Sequence, residues 1–100
     1  MRHYEMMVVL DADIDDAAVE KTNNKIETLI DKNQGKLVKK EQLGKKRLAY
    51  EINHKTEGIY GLFFFDGEPK TLEELERNLR IQDEIIRFGI FKLPEKKKKG

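Results

Sequence analysis

Apolar and polar positions along this chain alternate between strand-like and helix-like periods. Tyr4 to Leu10 is a compact apolar run holding Val8 and Val9, and the polar segment Asp11-Ala12-Asp13 bounds it. That pattern predicts a strand buried on both faces and central in its sheet. From Asp15 to Asn33, Val19, Ile26, Leu29 and Ile30, with Thr22 between them, recur at three- and four-residue steps. They form one stripe of an amphipathic helix. Gly35 should end it, because glycine tolerates the positive φ common just beyond a helix.

A long charged segment from Lys36 to Asn53 follows, in which Leu48, Tyr50 and Ile52 alternate with Arg47, Ala49 and Glu51. This reads as a second strand. After His54-Lys55-Thr56-Glu57-Gly58, the aromatic-rich stretch Ile59 to Phe65 suits a third strand, and the short connection makes the pair an antiparallel hairpin. Pro69 stops that strand, and Thr71-Leu72-Glu73-Glu74 matches a capping box that would start a helix with Leu72, Leu75 and Leu79 buried. Ile85 to Leu93 is the last strand, closed by Pro94. The order predicts an α+β, ferredoxin-like β-α-β-β-α-β sandwich: a four-stranded antiparallel sheet with two helices on one face. Residues 1–94 make one domain, and residues 95–100 a basic tail expected to be disordered, since it has no apolar area to bury.

The uncovered face follows from the same alternation. With Met6, Val8, Leu10, Phe63, Phe65, Phe88 and Ile90 turned to the helices, Glu5, Met7, Val9, Tyr60, Leu62, Phe64, Arg87 and Phe91 stand on the other side. Tyr60, Leu62, Phe64 and Phe91 are the candidate contacts for a partner protein, because a monomer seldom leaves such a patch unused. A surface merely covered by long basic stems is the competing reading.

Charge adds a second candidate surface. The 20 basic and 19 acidic residues leave a net charge of only +1, so the total does not point to a polyanion. Its distribution does more: Arg2 and His3 open the first strand, Lys45, Lys46 and Arg47 lie in the second, and Lys92 closes the fourth. Such a group attracts phosphates, although exposed lysines also serve to protect an edge strand from aggregation.

Much chemistry is set aside. There is no cysteine, hence no disulfide or thiolate site. Asp11, Asp13 and Asp15 imitate the start of a calcium loop, but Asp16 and Thr22 occupy the positions that require glycine and a bidentate glutamate. His3 and His54 have no partner at metal spacing. No cofactor, metal or catalytic residue is expected, and the apolar runs are too short to span a bilayer, which predicts a soluble cytoplasmic protein. Gly58 to Phe65 is comparable with the base-stacking strand of RNA recognition motifs, but Glu57 stands where a basic residue belongs and the register is off by one. An acylphosphatase-like enzyme, which shares the topology, would need an anion loop where Asp11 to Asp16 is acidic. A small-molecule sensor dimerising through its open sheet remains as an alternative.

Three blocks resemble a known family. They are Arg2-His3-Tyr4-Glu5, then Gly44-Lys45-Lys46-Arg47-Leu48-Ala49-Tyr50-Glu51-Ile52, and then Leu79-Arg80-Ile81 with Asp83, Ile86 and Arg87. Over residues 1–93 the chain resembles the bacterial small-subunit ribosomal protein that carries the number six. The resemblance implies a non-enzymatic ribosomal protein that binds 16S rRNA together with the small-subunit protein numbered eighteen, with no membrane and no small-molecule substrate. It implies that Arg2, His3, Lys45, Lys46, Arg47 and Lys92, with Arg80 and Arg87, hold phosphates, and that Tyr60, Leu62 and Phe64 pack on the partner, Arg47 and Arg87 being able to serve either. Glu51 stands where many relatives have proline, Leu43 where many have an aromatic residue, and the tail is short and basic instead of long and acidic.

Overall fold

A computed structural model describes residues 2–52 and 54–93; Met1, Asn53, Pro94 and the lysine tail lie outside the described residues. The elements are β1 (Arg2–Asp11), α1 (Asp16–Lys32), β2 (Lys36–Ile52), β3 (Lys55–Gly67), α2 (Pro69–Arg80) and β4 (Ile85–Lys92). The strands form one antiparallel sheet in the order β2-β3-β1-β4. This is the expected ferredoxin-like arrangement, with the most apolar strand paired on both sides.

The period-2 pattern of β1 decides which face is covered. Tyr4, Met6, Val8 and Leu10 are buried with Phe63 and Phe65 of β3, under Ile26 and Ile30 of α1 and Leu75 and Leu79 of α2. Tyr4 and Phe65 stack at a tilt, ring centroids 5.6 Å apart. Each such side chain contributes roughly 1.5–3 kcal/mol by leaving water. Both helices therefore lie on the side that the even-numbered residues of β1 select.

The helix ends differ in detail from their expected chemistry. Asp15 caps α1, its carboxylate accepting from the Ala18 N–H at 2.8 Å. At the other end Gln34, not Gly35, takes the positive φ, at 64°. The Gly35 N–H donates to the Ile30 carbonyl at 2.8 Å and that of Gln34 to Asp31 at 3.3 Å, which is a Schellman closure. Gly35 is needed for space: a Cβ there would stand 2.8 Å from Ile30 Cγ2.

For α2 the helix begins two residues before Thr71, with Glu68 as N-cap and Pro69 in the first turn. Proline at the first helical position outcompetes the threonine signature because its fixed φ is already helical. Thr71, 1% exposed, instead accepts from the Glu68 N–H at 3.2 Å and donates to the Asn33 carbonyl at 2.8 Å. One hydroxyl thus joins the start of α2 to the end of α1. Glu74 does not reach back to the cap; it pairs with Arg77 at 3.2 Å.

Candidate nucleic-acid and protein interface

On the bare side of the sheet, register places Glu5 between Phe64 and Phe91, Met7 between Leu62 and Gly89, and Val9 between Tyr60 and Arg87. Tyr60, Leu62 and Phe64 are half-buried there and Phe91 is 55% exposed. The four candidate partner contacts therefore share one face, as the alternation predicts.

Val9 departs from that picture, being only 2% exposed. The cause lies in β2. Arg47 pairs with Glu57 and Ile52 with Lys55, so Leu48 to Glu51 stand against Thr56 alone. Such an excess bends the strand and re-aims its side chains. Leu48, 8% exposed, closes over this end of the sheet, where a Cβ on Gly58 would meet Val9 Cγ1 at 2.4 Å and Leu48 Cδ2 at 3.4 Å. Tyr50 goes further: its hydroxyl accepts a hydrogen bond from Arg87 of β4, whose guanidinium lies 5.7 Å from the ring centroid. The β2–β3 arm thus folds back across part of the bare face, which ordinary alternation in the sequence does not reveal.

The candidate cations do not form one patch. Arg2, His3 and Lys92 gather where β1 starts and β4 ends, since Arg2 pairs with Gly67 and Tyr4 with Lys92. His3 is already engaged: its Nδ1 lies 2.5 Å from the Asp66 carboxylate, which competes with any phosphate. Arg2 and Lys92 have the parity of Tyr4, the helix side, while His3 faces the bare side. Lys45, Lys46 and Arg47 pair with Ile59, Gly58 and Glu57, opposite the far end of β1. At about 3.3 Å per residue this second group is roughly 25 Å from the first. Arg80 and Arg87 both border the groove between α2 and β4, which also contains Glu76, but the Arg87 guanidinium is engaged by Tyr50 on the bare face, so the two do not make one patch. Among the described residues none of these cations except His3 is paired with a carboxylate.

Other cations of β2 enrich the first group. Lys36 pairs with Asp66, and Lys39 lies over Phe64 with its Nζ 5.9 Å from the ring centroid and 2.9 Å from Glu41. Val38, Lys39, Phe64, His3 and Leu93 line an apolar cleft of about 470 Å³ at that end of the sheet. Lys40 is tied to Glu27 of α1. Only the register shift between Leu37 and Lys39 reveals that these residues border Phe64.

At the arm's tip Lys55 bridges Asp13 at 3.1 Å and Asp11 at 3.4 Å. The hydrogen bond from the Asp13 N–H holds the Asp11 carboxyl below its ordinary range, Lys55 adding to the effect, while Asp13 and Asp11 raise the Lys55 ammonium above its own. Among the described residues no cluster of acids and histidines could hold a metal, and no helix is long and apolar enough to cross a membrane.

Comparison with known proteins covers nearly the whole fold. The family model described as Ribosomal protein S6 matches residues 3–92. The small ribosomal subunit protein bS6 of Symbiobacterium thermophilum is 46% identical over 95 residues, covering 95% of this chain and all of that one. Its counterpart in Desulfitobacterium hafniense is 42% identical, covering 88% of this chain and 93% of that one. The crystal structure of 30S ribosomal protein S6 from Thermotoga maritima superposes with a TM-score of 0.88 at 31% identity, covering 92% of this chain and 87% of that one. Sequence likeness over both halves of the β-α-β-β-α-β order, matched by the same chain path in a solved relative, establishes that this chain belongs to the ribosomal protein S6 family.

Proposed function

We propose that this chain is a structural constituent of the bacterial small ribosomal subunit that binds 16S rRNA jointly with the small-subunit protein numbered eighteen. The observation that carries the reading is the family match over residues 3–92. Such proteins are structural and non-enzymatic, and the family match outweighs the dimerising sensor. The division of labour follows from the surfaces. Tyr60, Leu62, Phe64 and Phe91 offer apolar area to the protein partner, whereas the cation groups offer charge to phosphate. Arg2 and Lys92 at one end of the sheet, Lys45 to Arg47 at the other, and Arg80 with Arg87 are the candidate phosphate contacts.

Their separation makes the reading quantitative. Each neutralised phosphate adds about 0.7–0.9 to the slope of log affinity against log salt. One cation group on RNA therefore gives a slope near −2, and two groups give one near −4. Titration of a 16S fragment at several salt concentrations, with and without the partner protein, measures it. Strong binding that needs the partner and weakens as salt rises supports the reading; affinity indifferent to both overturns it.

A further inference from the structure

We propose that Tyr50 is a positioning residue for Arg87: carried over the sheet by the β2–β3 arm, it holds the guanidinium so that its remaining N–H groups meet a phosphate oxygen of bound RNA. The proposal rests on the RNA-binding reading above and adds to it a residue and a mechanism. Tyr50 belongs to one edge strand and Arg87 to the other, three strand spacings or about 14 Å apart in a flat sheet. Only the excess of residues at Leu48 to Glu51 allows the two to meet.

The contact has the features of an orienting device. Tyr50 is 59% exposed, so its ring is not there to fill the core. Its placement is nevertheless fixed, because Leu48, two residues earlier, is buried above Gly58 and Val9. The phenol oxygen takes one N–H of Arg87 and the ring lies beside the guanidinium at 5.7 Å from its centroid. A guanidinium carries five N–H donors in a planar fork, so donors remain for an incoming anion. No carboxylate claims them among the described residues. A long side chain ordered before binding loses less rotamer freedom when the complex forms. Phosphate is the anion that the RNA-binding reading brings to this surface, and its oxygens can accept parallel N–H bonds from the guanidinium fork.

A double-mutant cycle tests this on the full chain with the partner protein and the 16S fragment. Y50F keeps the ring and removes the hydroxyl. It is expected to weaken binding roughly threefold to tenfold, with an unchanged melting temperature and an unchanged salt slope. R87A is expected to lower the salt slope by about 0.8, one phosphate. In the R87A background Y50F should have no further effect, since it acts only through Arg87. NMR of the free protein supplies a readout independent of RNA: the Arg87 Nε–Hε group should be ordered in the natural chain and mobile in Y50F. Additive losses, or Y50F leaving affinity and Arg87 order untouched, overturn the proposal. R87A that spares the salt slope but weakens the partner complex assigns Arg87 to a protein carboxylate and overturns the phosphate. If the natural chain binds no RNA, the function proposed above fails, while the NMR comparison still decides whether Tyr50 orders Arg87.

Discussion

Replacing Thr71 with valine removes one hydroxyl and adds one methyl in nearly the same volume, at a site 1% exposed. No cavity forms, and both residues share β-branching, so propensity changes little. What disappears is the junction between the helices: the Oγ1 donation to the Asn33 carbonyl at 2.8 Å and the acceptance from the Glu68 N–H at 3.2 Å. Glu68 is exposed and its N–H can turn to water. Asn33 is half-buried, and its carbonyl would face a methyl. One net hydrogen bond is worth about 1 kcal/mol and one stranded polar group a further 1–2. The expected loss is about 2–3 kcal/mol, or roughly 8–20 °C in melting temperature for a domain of this size. Urea unfolding should show a lower midpoint at unchanged slope. Thr71→Ser, which keeps the hydroxyl, should lose less than the valine variant. A valine variant within about 0.5 kcal/mol of the natural chain would refute the role given to that hydroxyl.

Three further outcomes are expected. Gln34→Gly should stabilise by roughly 0.5–1 kcal/mol by relieving a side chain at φ 64°, whereas Gly35→Ala should destabilise because its Cβ would meet Ile30 at 2.8 Å; paired denaturation curves give both signs. Because the folded-state value of Asp11 is lowered, its contribution is present above about pH 4, the unfolded value, and fades as pH falls below that. Asp11→Asn should therefore flatten the stability profile below about pH 4 in acid titrations. Phe63→Ala, at a position with no exposure beneath both helices, should cost about 3–5 kcal/mol in chemical denaturation.

The sheet's two faces were legible because β1 and β3 obey the strand period: Met6, Val8, Leu10, Phe63 and Phe65 are inward as their alternation requires. That Tyr60, Leu62, Phe64 and Phe91 share the bare face followed from the same rule. Three features were not legible. Val9 is buried by Leu48, which requires a bulge that leaves no mark in the hydrophobic pattern. Cations close in sequence order of elements fall at opposite ends of the sheet because antiparallel pairing sends the middle of β2 past the end of β1. The contact of Tyr50 with Arg87 joins two edge strands and depends on strand order as well as on register. At the start of α2 two helix signatures competed, and the ring of Pro69 decided between them.

The central position of β1 has a consequence for synthesis. Its two neighbours are β3, beginning past the middle of the chain, and β4, the last element. An apolar strand made before both of them therefore waits for its first partner until β3 has emerged and for its second until β4 has, and a nascent chain stopped before Ile85 would still expose one side of it. In such a protein the interval most open to misassociation is set by translation speed, and the last eight strand residues to be added are the ones that end it.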